Sequence, residues 1–173
     1  MKKSILIFFI ISLLTACSSM GIRKSKLKFI DSTFKGFISN NHHKIKGRKY
    51  GSPDLLNTFE IRNAQSDTIW IEFSKSENLI IKYYEHNILK EAQFNGKFTK
   101  KGFYDLYLRN ERKEFPPIFP IIYSKKNILN IRIGLTKEND LIIDHFWIEG
   151  GNIFILGAGS SGRRQSFYNI FNN

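Results

Sequence analysis

Ile69-Trp70-Ile71-Glu72-Phe73, then the polar Ser74-Lys75-Ser76-Glu77-Asn78, then Leu79-Ile80-Ile81-Lys82-Tyr83-Tyr84 is the stretch that decides the fold. Ile69, Ile71 and Phe73 fall on one side of an extended chain and Trp70 and Glu72 on the other, the period-two pattern of a strand. A polar turn followed by a second apolar run makes the unit a β-hairpin. The same pattern returns at an offset of 62: Ile69/Ile131, Ile71/Ile133, Lys75/Lys137, Leu79/Leu141, Ile80/Ile142 and Ile81/Ile143 are identical, six in sixteen positions. Either a hairpin unit is duplicated or two amphipathic hairpins converge on the same residue types.

Outward from these hairpins the chain continues as apolar runs divided by polar turns. Strands are expected over residues 58–62, 67–74, 79–84, 89–98, 103–109, 121–124, 128–135, 141–148, 153–156 and 165–171, with 29–38 as a possible further one, about ten in all. The connections are too short for crossover helices, so the sheet should be an antiparallel meander. Leu141 to Ile148 is apolar on both faces and needs cover on both. A closed or nearly closed barrel, lipocalin-like in shape, answers that need; a two-sheet sandwich is the rival. Before the first hairpin, Leu55 to Phe59 reads as a short helix with Pro53 at its first position.

The N-terminus reads differently. Met1-Lys2-Lys3-Ser4 is followed by ten residues, Ile5 to Leu14, broken only by Ser12. This run is shorter than the about 20 apolar residues of a spanning helix and has the layout of an export signal. Leu14-Thr15-Ala16-Cys17, with small residues ahead of the chain's single cysteine, resembles the lipobox of bacterial lipoprotein precursors. The resemblance covers the first seventeen residues. It implies cleavage before Cys17, acyl chains on that residue, and attachment to a membrane of the cell envelope. Ser18 stands where, in the sorting rule this resembles, a residue other than Asp favours the outer membrane, facing the periplasm. With no second cysteine, disulfides and thiolate metal sites are excluded from the mature chain.

Formal net charge is +12, with 27 basic and 15 acidic residues. Between Ser18 and Tyr50, Arg23, Lys24, Lys26, Lys28, Lys35, Lys44, Lys46, Arg48 and Lys49 face Asp31 alone. From Gly51 onward the two signs nearly balance. Beside a lipid anchor, such a segment is drawn to anionic head groups at about 1 kcal/mol per cation; a solvated spacer is the plainer reading. Export makes nucleic acid the wrong anion. The expected layout is therefore a signal peptide over 1–16, a lipidated basic tether over 17–50 and one β domain over 51–173. Lys24, Lys26, Lys28, Lys44, Lys46, Arg48 and Lys49 are the tether's candidate contacts.

Gly157-Ala158-Gly159-Ser160-Ser161-Gly162 matches the glycine pattern of dinucleotide sites, but neither a following helix nor a later acidic residue is present. It is expected to be a hairpin loop, with Arg163 and Arg164 at its exit able to hold a phosphate or carboxylate. Phe115-Pro116-Pro117-Ile118-Phe119-Pro120 excludes a central strand and should cap one barrel end, or else offer Phe115, Ile118 and Phe119 to a partner. His145, near Asp144, Trp147 and Glu149, is the one histidine in a polar patch. No nucleophile elbow and no metal-ligand spacing occurs, so no catalytic residue, metal or cofactor is assigned. The expected function is a non-catalytic binding module for a lipophilic or other small ligand, with a protein docked to another envelope component as the alternative.

Overall fold

The computed structural model describes residues 27–47, 53–62, 64, 66–116, 123–154 and 156–171. In chain order the elements are β1 Leu27–Lys28, β2 Lys35–Ser39, β3 Lys44–Gly47, α1 Leu55–Thr58, β4 Thr68–Phe73, β5 Leu79–Glu85, β6 Ile88–Phe94, β7 Gly96–Phe98, β8 Tyr104–Phe115, β9 Tyr123–Thr136, β10 Asp140–Ile153 and β11 Leu156–Phe171. The fold is all-β, and its pairings are antiparallel throughout. The hydrogen-bonded path runs β6-β5-β4-β2-β11-β10-β9-β8-β7, with β1 added on β9 and β3 on β11. The two ends of the path, β6 and β7, are separated in the chain by Asn95 alone. The sheet therefore curls round into a barrel-like wall whose ladder is interrupted at that residue.

The sequence echo is a structural repeat. Ile71 pairs with Ile81 in the β4–β5 hairpin, and Ile133 pairs with Ile143 in the β9–β10 hairpin, each position displaced by 62. The turns match as well: Glu77 and Asn139 both take positive φ, and the hydroxyls of Ser74 and Thr136 accept from the amides of Asn78 and Asp140. The match extends to the flanking strands. Ile38 faces Ile69 as Leu106 faces Ile131, and Phe94 faces Leu79 as Tyr168 faces Leu141. Even the junctions agree, since Ile170 meets Ile38 where Gly96 meets Leu106. Two four-stranded meanders, β2-β4-β5-β6 and β8-β9-β10-β11, thus form most of the wall.

The interior is filled. Ile38, Ile69, Ile71, Leu79, Ile81, Tyr104, Leu106, Ile131, Ile133, Leu141, Ile143 and Tyr168 all point inward and are buried. Phe73, Phe98 and Tyr104 stack at centroid distances of 4.8 to 5.0 Å, and the Tyr104 hydroxyl donates to the Phe94 carbonyl and accepts from the Leu79 amide. α1 adds Leu55, Leu56 and, at its C-cap, Phe59, whose ring lies 5.2 Å from Phe94. The helix is held in place at its start: buried Asn40 accepts from the Leu55 amide through its carbonyl and from the Leu56 amide through its side chain.

Five expectations are corrected. The β domain does not begin at residue 51: β1, β2 and β3 belong to the sheet, β2 lies between β4 and β11, and Ile38 is fully buried. A tether cannot extend to residue 50, because the apolar Phe37-Ile38 pair secures β2 in a central position. Residues 58–62 form no strand; Leu55 rather than Pro53 takes the first position of α1, with Asp54 as the N-cap accepting from the Asn57 amide, and the chain turns at Glu60 with positive φ. The apolar run expected as one strand over 153–156 is divided between two: Ile153 ends β10, the chain turns at Phe154, and Leu156 opens β11, paired with Ile153. Gly157 to Gly162, expected as a hairpin loop, is strand, paired residue by residue with Asn152 to Trp147.

Candidate functional site

Strands β8 to β11 run well past the filled interior. From His145 to Ile153 is eight residues, about 27 Å at the usual rise of a strand. Their inner face continues the core face in register, as successive rows across β8, β9, β10 and β11. At the edge of the core come Leu106, Ile131, His145 and Arg164, then beyond it Arg109, Leu129, Trp147 and Gly162, then Glu111, Asn127, Glu149 and Ser160. The β-bulge between Tyr107 and Arg109 is what puts Arg109 in this series. Without the extra residue its parity would place it on the outer face with Tyr107.

Between these rows and α1 lies a cleft of about 400 Å³, lined by Asn57, Thr58 and Glu60 on one side and by Arg109, Leu129, His145, Trp147, Glu149, Ser160 and Arg164 on the other. Arg164 is 3% exposed. Its guanidinium donates to His145 Nδ1 at 3.0 Å and lies 6.0 Å from the centre of the Trp147 ring. A guanidinium has no acceptor, so Nδ1 is the unprotonated nitrogen of the imidazole and Nε2 carries the hydrogen. That Nε2 is buried and without a hydrogen-bond partner, as is Nε of Arg109, whose terminal nitrogen pairs with Glu60 at 3.0 Å. Burial first, and the charges of Arg164 and Arg109 second, push His145 down to about 4. The imidazole is thus neutral at physiological pH and its Nε2 a hydrogen-bond donor, the wrong protonation state for a general base at that nitrogen. Chemically, the inner end of the cleft offers donors, the Trp147 ring an aromatic wall, and Glu60 and Glu149 acceptors farther out.

Gly162 supports that wall. A Cβ there would come 2.7 Å from Trp147 Cη2, so the ring lies directly on the strand backbone. Gly162→Val is expected to displace Trp147, red-shift its fluorescence and lower stability by about 1–3 kcal/mol, the cost of overpacking; urea unfolding followed at the tryptophan emission checks it.

The residues singled out from sequence divide as follows. Arg163 and Arg164, expected together at a loop exit, point to opposite faces of β11. Arg163 forms a two-pronged pair with Asp144 on the outer face, its Nε donating at 2.7 Å, beside the Arg132–Asp105 pair on β9 and β8. Only Arg164 enters the cleft. Lys44 and Lys46 are strand residues of β3, with ammonium groups 5.4 and 5.5 Å from the Phe167 ring centre, and Lys28 lies in β1, exposed. Cys17, Lys24, Lys26, Arg48, Lys49, Ile118 and Phe119 lie outside the described residues. Phe115 caps no barrel end; it stands 67% exposed at the far tip of β8, because β8 continues past the barrel instead of stopping at it. Sequence pointed to His145 and Trp147 by proximity, but gave no sign that Arg109 and Glu60 join them. Compared with protein-family models, curated proteins and solved structures, the chain matches none.

Proposed function

We propose that the protein is an exported lipoprotein held on an envelope membrane, the outer membrane facing the periplasm, through Cys17, and that its β domain is a non-catalytic binding module. The ligand class is a small polar molecule carrying an acceptor group, a carboxylate or phosphate, that docks in the cleft between α1 and β8–β11. The observation that carries this reading is the buried, unpartnered Nε2 donor of His145, on the wall of a cleft that Arg164 and Arg109 also line. A buried donor left without a partner costs about 1–3 kcal/mol, and a bound acceptor oxygen recovers it. A lipophilic ligand inside the barrel is disfavoured because Leu55, Leu56, Phe59 and the Phe73–Phe98–Tyr104 cluster occupy that space.

The test titrates the full chain with inorganic phosphate and with acetate, following the His145 ring by NMR and the melting temperature. Binding should raise both the melting temperature and the His145 pKa, and His145→Gln should weaken it about tenfold, the effect of losing one charge-assisted hydrogen bond. Unchanged ring resonances at saturating phosphate and acetate would remove the cleft from consideration.

The same histidine gives a pH prediction. Unfolded, it binds its proton near pH 6.5; folded, only near about 4. Between those values the unfolded state holds the extra proton, so stability should fall as pH is lowered through that window. Urea midpoints for wild type should drop on going from neutral pH to about 4, and His145→Gln should show a shallower drop. Equal slopes for the two proteins would mean the ring is not held neutral by the fold.

A further inference from the structure

The far end of the projecting strands presents a different surface. Phe115, Tyr123, Ile153 and Leu156 form one cross-strand row on the inner face, one residue from each of four strands. Phe115, Ile153 and Leu156 are 60–77% exposed, and Phe154 in the adjoining turn is 65% exposed. Tyr123, Ile153, Phe154 and Leu156 border an open depression of about 910 Å³. Soluble surfaces scatter such residues singly, so four strands contributing to one exposed row mark a contact surface.

The turn supports this. Phe154 takes φ of +53° in the two-residue connection between the paired Ile153 and Leu156. Such turns favour Asn, Asp or Gly, as Asn87 illustrates at the β5–β6 turn with φ of +63°. An exposed phenylalanine at positive φ stabilises neither the turn nor the core. Its cost to the fold is the kind of local conflict found where a surface serves binding.

Charge identifies the occupant. One row behind the tip on the inner face stand Lys113 and Lys125, two residues back, which is about 7 Å. On the outer face Arg112 pairs with Lys126 at three residues back. Glu111 pairs with Lys125 at 3.6 Å, and Glu114 and Glu149 stand opposite Ser124 and Asn127 of β9, leaving the cations in excess on β8 and β9. An apolar edge with a cationic collar about 7 Å behind it matches the depth, about 5–10 Å, at which amphipathic surfaces settle beneath anionic head groups.

We infer that the β8–β11 tip is a membrane-inserting wedge: Phe115, Tyr123, Ile153, Phe154 and Leu156 enter the acyl boundary of an anionic bilayer while Arg112, Lys113, Lys125 and Lys126 meet its phosphates. The inference is independent of the cleft ligand. A lipid anchor at Cys17 only brings the bilayer within reach.

The test uses the full chain with Leu156→Trp, and separately with Tyr84→Trp on β5 as the reference, on vesicles of phosphatidylglycerol mixed with brominated phosphatidylcholine. Both positions are exposed, so neither replacement disturbs the core. After subtraction of the wild-type emission, the indole introduced at position 156 should shift to the blue and be quenched by the brominated chains, and that at 84 should not. Lys113→Gln and Lys125→Gln should each weaken vesicle binding through the tip about fivefold, with the effect fading at high salt. Protein that sediments with vesicles through its anchor while the indole at 156 stays unquenched would overturn the wedge without touching the lipoprotein reading. Burial of that indole only by a second copy or another protein, in the absence of lipid, would equally overturn it and assign the tip to a protein interface.

Discussion

Ile71→Ala and Ile133→Ala should each destabilise the protein by about 2–5 kcal/mol, the range for removing a large aliphatic side chain from a packed interior. Both residues are fully buried at equivalent positions of the two meanders. Against a total stability of about 5–15 kcal/mol, either loss is large. The neighbours differ: Ile133 lies beside Tyr104 in its row, and Ile71 beside Gly36. The site next to a glycine has fewer side-chain atoms to hold a cavity open or to fill it, so the two values measure how each half of the barrel relaxes. Urea unfolding of the full chain checks this, with Ile88→Ala, 62% exposed on β6, expected to lie within about 0.5 kcal/mol of wild type. Inner and outer replacements of equal effect would contradict a single interior packed by both meanders.

Cys17→Ala should abolish incorporation of labelled fatty acid and leave the N-terminal segment uncleaved. The argument is chemical: the chain holds a single cysteine, its thiol is the acyl acceptor in lipoproteins that carry such a lipobox, and alanine offers no nucleophile there. One acyl chain holds a protein on a bilayer marginally and two or more hold it stably, so fractionation should show the unacylated form attached through its retained signal segment or lost from the membrane. Metabolic labelling in a bacterial host is the measurement, and undiminished labelling of the variant would rule out Cys17 as the anchor. Combined with Leu156→Trp, this variant also separates attachment by lipid from contact by the tip.

The hairpins were legible because alternation is local: Ile69, Ile71, Phe73 and their counterparts at 131, 133 and 135 state their own face without reference to the rest of the chain. Their length was not legible. Arg109 to Glu114, Ser124 to Asn127, Glu149 to Asn152 and Gly157 to Gly162 are charged, polar or glycine-rich, the composition of loops. They form strands because four chains pair side by side, and Gly150 and Gly159 let the backbones of β10 and β11 approach closely, a Cβ at 150 coming 2.6 Å from the Gly159 Cα. The basic character of the segment before residue 50 pointed to a tether, while the apolar pair Phe37-Ile38, which secures β2, is short beside the nine cations of that segment.

The sequence by itself determined the antiparallel all-β class, since period-two alternation and short connections leave no room for crossover helices. It also determined where the positive charge and the single cysteine lie. Tertiary structure alone decided the cleft and the tip. Arg109, His145 and Arg164 are separated along the chain and meet through the ladder register, Glu60 joins them from the turn after α1 by pairing with Arg109, and Arg109 reaches the inner face because one bulged residue reverses strand parity. Phe115, Tyr123, Ile153 and Leu156 become one row for the same reason: pairing across four strands sets which side chains are neighbours, and no local pattern encodes that pairing.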